Sequence, residues 1–239
     1  MRIVIVRHGE PDYQKDCLTE TGRIQAGRAA ERLKEEGIEE IWSSPLGRAY
    51  ETAEATSKAL GLPIHTLECM CELYWGSRDR EEMYMDGHPW DTADTMARNG
   101  VELNDADWRR GSWFSNNRVI EAVDMVEKGI DEWLAGFGYI RDGLYYRHGR
   151  AEKDHYTIAL FCHGGSSSAA IGHILNLPFP YVCGMLHMEF TGITILRFDR
   201  NSGPCTLPCL ELANDAKHIL SPTHDKNILT ISCADDKMG

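Results

Sequence analysis

The pattern of apolar and polar positions divides the chain into short apolar runs separated by longer amphipathic stretches. A run of about four to eight apolar residues, rich in Val, Ile and Leu and bounded by polar residues, is typical of a buried strand. Such runs occur throughout the chain rather than in one half of it. They predict strands at residues 2–6, 39–42, 63–67, 157–162 and 192–198.

Apolar residues that recur at helical spacing occupy most of the stretches between these runs. Gly37 and Gly61 follow two of the stretches, and glycine is the residue that most often ends a helix. Ser115 is a suitable N-cap for another helix, whose valines and isoleucine share one face. The pattern predicts helices at residues 21–36, 48–60, 90–98, 115–134 and 166–175, and a hairpin at residues 139–146.

The predicted strands and helices alternate along the chain. Such alternation is typical of an α/β fold with a largely parallel sheet, because parallel strands need a crossover connection. The polar block at about residues 77–156 interrupts the pattern, and we interpret it as a cap within a single domain of residues 1–239. The last twenty or so residues carry no clear pattern, so we expect them to be poorly anchored.

Charge narrows the classes of function. The chain carries 37 acidic and 25 basic residues, which gives a formal net charge of −12. A general binder of nucleic acid or of an anionic membrane has the opposite balance, so we expect neither partner. An anionic substrate would therefore need a local cluster of Arg and His to overcome the acidic average.

The N-terminal stretch and the cysteines predict a cytoplasmic protein. Arg7 and His8 interrupt the first apolar run too soon for a signal peptide, and no run of about 18 apolar residues predicts a transmembrane helix. The eight cysteines are scattered, so we expect reduced thiols rather than disulfides or a structural zinc site. We predict neither a metal nor a cofactor.

Two of the predicted strands end in the same way, with a histidine followed by glycine. His8 precedes Gly9 after the first strand, and His163 precedes Gly164 after the strand at residues 157–162. Ligands of open parallel sheets bind beyond the carboxyl ends of the strands, so we predict both histidines at one edge. A neutral imidazole can attack phosphorus, and a helix starting after His163 would offer free N–H groups to phosphate oxygens.

Two arginines are predicted at the same edge. Arg7 directly precedes His8, and Arg48 opens the helix after the second strand. Each guanidinium presents a planar fork that matches a phosphate group. Taken alone, a histidine at a strand end is usually a packing residue and an arginine at a helix start usually faces solvent. The convergence of all four residues on one edge favours a phosphate site.

The tripeptide Arg-His-Gly occurs a second time, at Arg147, His148 and Gly149. No apolar strand leads into this copy, which follows the predicted hairpin, so we interpret it as a surface or lid segment. His173 and His187 lie in apolar segments, which favours packing over reactivity.

Six short segments of the chain are sequence motifs, and their order along the chain is informative. They are Arg7-His8-Gly9, residues 18–26 (LTETGRIQA), residues 43–53 (SSPLGRAYETA), Glu72 four residues before Gly76, His163-Gly164-Gly165, and residues 214–218 (NDAKH). In this order they resemble the histidine phosphatase superfamily, also called the phosphoglycerate mutase-like family. The resemblance implies a three-layer α/β/α fold with a mostly parallel central sheet and a helical or loop cap.

The resemblance also implies a role for each charged residue of the predicted edge. His8 would be the nucleophile that forms a phosphohistidine. Arg7, Arg48 and His163 would hold the phosphoryl oxygens and offset their charge in the transition state. Glu72 would protonate the leaving oxygen and then take a proton from the attacking water. Glu68 is the neighbouring carboxylate that competes for this last role.

Three further residues are implied as substrate-binding. Gly9 and Gly164 leave room for a bulky anion beside the histidines, and Gly164 offers a backbone donor. Gln14 stands where many family members have an asparagine that touches phosphate, and it offers the same amide on a longer arm.

The leading hypothesis is a metal-independent phosphatase that hydrolyses phosphomonoesters of small metabolites. A phosphoglycerate mutase-type phosphomutase would use the same residues in a pocket that excludes water. A catalytically degenerate module that binds a phosphorylated ligand is the alternative from another class. We expect a small phosphorylated metabolite as the partner, and a homodimer is compatible with the sequence. The sequence does not choose among sugar phosphates, phosphoglycerates and nucleotide-derived phosphates.

Overall fold

A computed structural model describes residues 1–148, 156–198 and 204–220, and it is built around one six-stranded sheet. The strands are β1 (Arg2–Arg7), β2 (Pro11–Asp12), β3 (Cys17–Leu18), β4 (Glu40–Ser43), β5 (Ile64–Thr66), β6 (Tyr139–Asp142), β7 (Tyr145–His148), β8 (Thr157–Cys162), β9 (Ile193–Arg197), β10 (Cys205–Thr206) and β11 (Cys209–Asp215). The helices are α1 (Glu20–Leu33), α2 (Gly47–Leu60), α3 (Pro89–Arg98), α4 (Val119–Gly136), α5 (Gly164–Leu175) and α6 (Phe179–Met185).

The central sheet is mostly parallel, as the sequence predicts. Its strand order is β11-β9-β1-β8-β4-β5. The strands β1, β8, β4 and β5 run parallel to one another, whereas β9 and β11 are antiparallel to their neighbours. The α/β prediction is therefore confirmed, with the antiparallel strands gathered at one side of the sheet.

Alternate residues of the buried strands face two separate cores, because successive side chains of a strand point to opposite faces. Ile3 and Ile5 of β1 pack on one side with residues of α4, α5 and α6. Val4 and Val6 pack on the other side with residues of α1 and α2. Helices thus cover both faces of the sheet, which gives the three-layer α/β/α arrangement.

The register between β1 and β8 determines where two of the predicted site residues leave the sheet. Arg7 is paired with Cys162 in the parallel ladder. His8 and His163 are the next residues along the two strands, and the His8 backbone N–H donates to the Cys162 carbonyl at 2.9 Å. Because β1 and β8 are neighbours, the two histidines emerge side by side at the carboxyl edge.

The predicted start of the fourth helix is wrong. The helix α4 begins at Val119, and Ser115 is not its N-cap. Asn117 supplies the reason, because its Oδ1 accepts the Val119 N–H at 2.9 Å while its Nδ2 donates to the Gly87 carbonyl. The Ser115 N–H instead donates to the Gly111 carbonyl within a turn. An asparagine fixed by a tertiary contact therefore sets the start of this helix.

The two glycine stops that the sequence predicts are confirmed. The helix α1 ends at Leu33, and a 3₁₀ turn over Lys34–Glu36 carries the chain on to Gly37. Gly37 and Gly61 adopt φ angles of +67° and +70°, in the left-handed region that glycine adopts without a steric penalty.

The hairpin predicted at residues 139–146 is present as β6 and β7, and it gains a third strand. The strand β10, from a distant part of the chain, pairs with β7 to complete a small sheet. The same C-terminal region supplies β11 at the edge of the central sheet. The pattern of apolar positions does not predict β10, β11 or α6, because each is short or mixes polar residues with apolar ones.

The polar block after Gly76 forms α3, close to the helix predicted at residues 90–98, together with short 3₁₀ turns. Its buried Trp108 and Phe114 join the same core as α4 and α5. The limits of the cap at about residues 77–156, and the single domain of residues 1–239, stay predictions. The expectation of a poorly anchored C-terminus falls largely on residues 221–239, which lie outside the described residues.

No helix in the described ranges is long and apolar enough to cross a membrane. Within the same ranges, no group of three or more His, Cys, Asp or Glu side chains is arranged to hold a metal ion. The seven cysteines that the structure describes are free thiols.

Candidate active site

Two buried histidines form the centre of the candidate site. The ring centroids of His8 and His163 lie 5.1 Å apart at the carboxyl edge of the sheet. His8 is 1% exposed and His163 is fully buried. Arg7 and Arg48 are also buried, and both act electrostatically on the two imidazoles. The structure thus brings together four residues that the sequence singles out separately.

The backbone of Gly9 orients the His8 ring. The Nδ1 atom of His8 lies 2.7 Å from the Gly9 carbonyl oxygen. A carbonyl only accepts hydrogen bonds, so Nδ1 carries the proton and the lone pair of the neutral ring is on Nε2. Burial, followed by the charge of Arg7, holds the pKa of His8 well below its ordinary value. The ring is therefore neutral at physiological pH, and its Nε2 atom is nucleophilic.

Gly9 is also a place where no other residue fits. A Cβ atom at this position would lie 2.7 Å from the carbonyl oxygen of Gly22 in α1. The Gly9 N–H donates to Thr52 Oγ1 of α2 at 3.0 Å. The chain after His8 is therefore held between two helices, which fixes the direction of the ring.

Arg7 is held by the segment of residues 188–191. Its Nη1 atom donates to the Met188 carbonyl at 2.6 Å. The guanidinium carbon lies 4.4 Å from the centroid of the Phe190 ring, a stacking distance at which the cation and the aromatic face attract. The Phe190 ring is also 5.7 Å from the His8 ring. One aromatic side chain therefore borders both the arginine and the histidine.

Arg48 lies in the first turn of α2 and is fixed by an aspartate. Its Nη1 atom donates to Asp16 Oδ1 at 2.5 Å, and the other Asp16 oxygen accepts the Gly47 N–H at 2.7 Å. The Nε atom of Arg48 is buried and has no hydrogen-bond partner among the described residues. A buried donor left without a partner is costly, so an anion at this site would supply the missing acceptor.

His163 occupies the N-cap position of α5. Its Nε2 atom lies 2.8 Å from Ser44 Oγ, on the loop that leads into α2. Burial, followed by His8 and then Arg48, holds the pKa of His163 well below its ordinary value. His163 is therefore a second neutral imidazole, fixed by a serine from a neighbouring loop.

Glu72 is bound at the N-terminus of α5. Its Oε1 atom accepts the N–H groups of Gly165 at 3.0 Å and Ser166 at 3.2 Å, as well as that of Leu73. A Cβ atom on Gly165 would lie 2.6 Å from the same oxygen, so glycine is required for this approach. Glu68, the competing carboxylate, is exposed on a 3₁₀ turn. Of the two carboxylates, Glu72 is the one that accepts N–H groups from the start of the helix that His163 caps.

The two remaining predicted residues, Gly164 and Gln14, lie in different surroundings. A Cβ atom on Gly164 would lie 3.6 Å from Arg7 Nε and 3.8 Å from the Trp90 ring, so Gly164 faces the site. Gln14 is exposed on the turn between β2 and β3, where its N–H donates to the Asp12 carboxylate. The turn also carries Asp16, which binds Arg48, and contact of Gln14 with phosphate stays a prediction.

The second Arg-His-Gly copy lies in the small sheet. Arg147 and His148 belong to β7, and Arg147 forms an ion pair with Asp142 at 3.0 Å. Gly149 lies outside the described residues. Arg147 is exposed, which agrees with the interpretation of the copy as a surface or lid segment.

The sequence does not predict several supporting residues: Asp16, Ser44, Thr52, Met188 and Phe190. Ser44 and Thr52 lie within the motif of residues 43–53, but the motif does not reveal which side chains they contact. Phe190 gives no signal in a single sequence, because a lone aromatic residue is usually part of a core.

The arrangement can bind an anion and transfer its central atom. Two guanidinium groups offer donors to a tetrahedral oxyanion, close to the positive end of the α5 dipole. A neutral imidazole offers an attacking lone pair, and a carboxylate bound at the start of α5 can exchange a proton.

Comparison of the sequence with known proteins also indicates phosphate chemistry. The sequence profile described as histidine phosphatase superfamily (branch 1) matches residues 3–208. A protein of Cronobacter sakazakii named probable phosphoglycerate mutase GpmB is 34% identical, and the match covers 95% of this chain and 98% of that protein. A protein of Photorhabdus laumondii with the same name is 37% identical, but the match covers only 35% of this chain and 43% of that protein.

A solved structure is similar over nearly its whole length. It is the mycobacterial glucosyl-3-phosphoglycerate phosphatase in complex with inorganic phosphate, with 25% identity and a TM-score of 0.63. The similarity covers 91% of this chain and 99% of that one.

Proposed function

We propose that this chain, which belongs to the histidine phosphatase superfamily (branch 1), hydrolyses phosphomonoesters of small metabolites. The observation that carries the proposal is the buried pair of neutral imidazoles, 5.1 Å apart and close to two buried arginines. The similar mycobacterial phosphatase, solved with inorganic phosphate, supports hydrolysis. No step of the proposed reaction needs a metal ion.

In the first step, His8 takes the phosphoryl group from the ester. The Nε2 lone pair attacks phosphorus and forms the P–N bond, while the ester P–O bond breaks and its electron pair leaves with the oxygen. Glu72, in its protonated form, gives a proton to that oxygen. Arg7, Arg48 and His163 donate hydrogen bonds to the phosphoryl oxygens as their charge redistributes.

In the second step, water releases the phosphate. The Glu72 carboxylate takes a proton from the water, whose oxygen forms a bond to phosphorus. The P–N bond breaks, and its electron pair returns to Nε2 of His8. The three backbone donors that bind Oε1 of Glu72 hold the carboxylate in one place through both steps.

Phosphate release from p-nitrophenyl phosphate in the presence of EDTA tests this function. We expect the wild-type protein to turn over and His8→Ala to lose at least about a thousandfold of that activity, since the nucleophile is gone. His148→Ala is the matched control, because it alters the histidine of the other Arg-His-Gly copy and should keep wild-type activity. Equal turnover by wild type and His8→Ala would contradict the assignment of His8, and loss of turnover in EDTA would contradict the metal-free reaction.

A phosphoglycerate mutase is the second candidate, favoured by the similarity to the Cronobacter sakazakii protein over 95% of this chain. A mutase returns the phosphoryl group from His8 to the substrate, which requires that water be excluded. The two activities separate when the protein is given 3-phosphoglycerate with a trace of 2,3-bisphosphoglycerate. A mutase forms 2-phosphoglycerate without net loss of organic phosphate, whereas a phosphatase releases inorganic phosphate.

We keep a small phosphorylated metabolite as the proposed partner, and a cytoplasmic location as a proposal. The chain is acidic overall and His8 is neutral, so the two buried arginines are the groups that would attract an anionic substrate. A homodimer stays a prediction.

A further inference from the structure

The segment of residues 188–191 supports both the arginine and the histidine at the end of β1. The Met188 carbonyl accepts from Arg7 Nη1, and the Phe190 ring stacks on the same guanidinium. The Thr191 N–H donates to the Arg7 carbonyl at 3.0 Å and to the His8 carbonyl at 3.2 Å. A shift of this segment would therefore move both residues.

Thr191 adopts an unfavourable backbone conformation at this point. Its φ angle is +55°, in the left-handed region that β-branched residues strongly disfavour, and the residue is fully buried. Strained conformations persist only where surrounding contacts hold them in place. The contacts that hold Thr191 thus determine where residues 188–191 lie.

His218, in the last motif of the chain, makes one of these contacts. Its Nε2 atom lies 3.0 Å from Thr191 Oγ1. The Thr191 hydroxyl donates to the Phe190 carbonyl at 2.7 Å, so its oxygen accepts from His218. Burial lowers the pKa of His218, and its Nδ1 has no hydrogen-bond partner among the described residues. The neutral ring with its proton on Nε2 fits both observations.

Asn214, in the same motif, makes the other contact. Its Oδ1 atom accepts the Glu189 N–H at 2.8 Å, and its backbone N–H donates to Thr194 Oγ1. A Cβ atom on Gly192 would lie 2.2 Å from that Oδ1, so the glycine admits the asparagine. Asn214 thereby fixes the chain on both sides of Thr191.

We propose that His218 and Asn214 are positioning residues, which hold residues 188–191 so that Arg7 and His8 stay aligned for phosphate. The inference rests on the proposed phosphatase function. It gives a role to the segment Asn214-Asp215-Ala216-Lys217-His218, whose residues do not belong to the reacting group itself. The C-terminal motif thus acts on the reaction through the backbone beneath Arg7 and His8.

The test compares His218→Leu with His218→Gln in the full chain. The leucine variant removes the donor to Thr191, whereas glutamine places an amide N–H close to the position of Nε2. We expect His218→Leu to weaken binding of inorganic phosphate, measured by calorimetry, about tenfold. Its kcat/KM for p-nitrophenyl phosphate should fall by roughly tenfold to a hundredfold, since small misplacements of binding groups are costly. His218→Gln should recover most of both losses.

Ile219→Ala is the matched control for a purely structural effect. Ile219 is the next residue, is 5% exposed and has no part in the contact with Thr191. We expect Ile219→Ala to lower Tm at least as much as His218→Leu while phosphate affinity stays within about twofold of wild type. An equal loss of affinity in Ile219→Ala would overturn the proposal, because destabilisation alone would then explain the effect.

Thr191→Val keeps the inference testable if His218→Leu does not fold. Valine keeps the shape of threonine and removes the hydroxyl that accepts from His218, so it should weaken phosphate binding about tenfold. Where both variants fold, the double variant should be little worse than either single one, since both remove one contact. Wild-type phosphate affinity in Thr191→Val, or losses that add in the double variant, would overturn the proposal. Phosphate binding needs no turnover, so these results are independent of the His8→Ala assay that tests the proposed function.

Discussion

A buried histidine keeps its attacking lone pair only while it stays neutral. His8 and His163 meet this condition because burial and two nearby arginines hold the pKa of each ring well below its ordinary value. The hydrogen bond from Nδ1 to the Gly9 carbonyl then leaves the lone pair of His8 on Nε2. At the scale of single residues, the site is therefore set for attack before any substrate enters.

The same two rings make the folded protein sensitive to acid. In the unfolded chain each histidine binds a proton as the pH falls below about 6.5, whereas in the folded chain neither ring does until the pH reaches its lowered pKa. The unfolded state thus binds more protons, so stability falls with pH below about 6.5. We expect each ring to account for on the order of 1 kcal/mol of the loss between pH 7.5 and 5.5.

Urea unfolding of wild type and His8→Gln at pH 7.5 and 5.5 measures this effect. Glutamine does not titrate, so the variant should lose less stability between the two pH values than the wild type does. Equal losses in both proteins would show that His8 already titrates normally in the folded state.

At the scale of elements, the start of α5 brings two functional residues together. One helix end holds His163 at its N-cap and binds the Glu72 carboxylate through the N–H groups of Gly165 and Ser166. The positive end of the helix dipole favours the phosphate and the carboxylate at the same place. The helix thereby fixes the distance between the phosphoryl site and the proposed proton donor.

Gly165→Ala tests this arrangement, because the new Cβ would lie 2.6 Å from Glu72 Oε1 and displace the carboxylate. A poor leaving group needs a proton more than p-nitrophenolate does. We therefore expect kcat/KM to fall roughly tenfold to a hundredfold for an alkyl phosphate and clearly less for p-nitrophenyl phosphate.

Gly27→Ala is the control for this substitution. Gly27 is exposed within α1, and a Cβ atom there would meet nothing within 4 Å. It should raise the stability by roughly 0.5–1 kcal/mol and leave both activities unchanged. An equal loss on the two substrates in Gly165→Ala would contradict the role of Glu72 as proton donor.

Elements differ in how far the sequence predicts them. The strands β1 and β8 consist mainly of apolar residues, and a histidine directly follows each of them, so both the strands and their shared edge are predictable. The start of α4 depends on Asn117, whose side chain is fixed by a contact with Gly87 thirty residues away. A cap held by such a contact cannot be found from local patterning.

At the scale of the whole molecule, the predicted residues of the site come from four separate parts of the chain. The sequence predicts that Arg7, His8, Arg48 and His163 share an edge, because it predicts the parallel strands that deliver them. It does not predict that Asp16 fixes Arg48 or that residues 188–191 support Arg7, since those contacts depend on loop packing.

In the proposed reaction the phosphoryl group passes through a covalent bond to His8. The most direct measurement is to quench the wild-type protein in alkali during turnover of a ³²P-labelled phosphomonoester and to map the label by peptide analysis. We expect an alkali-stable, acid-labile label on the peptide that contains His8, and no label in His8→Ala. A label on another residue, or turnover without any labelled protein under conditions that trap the intermediate, would contradict it.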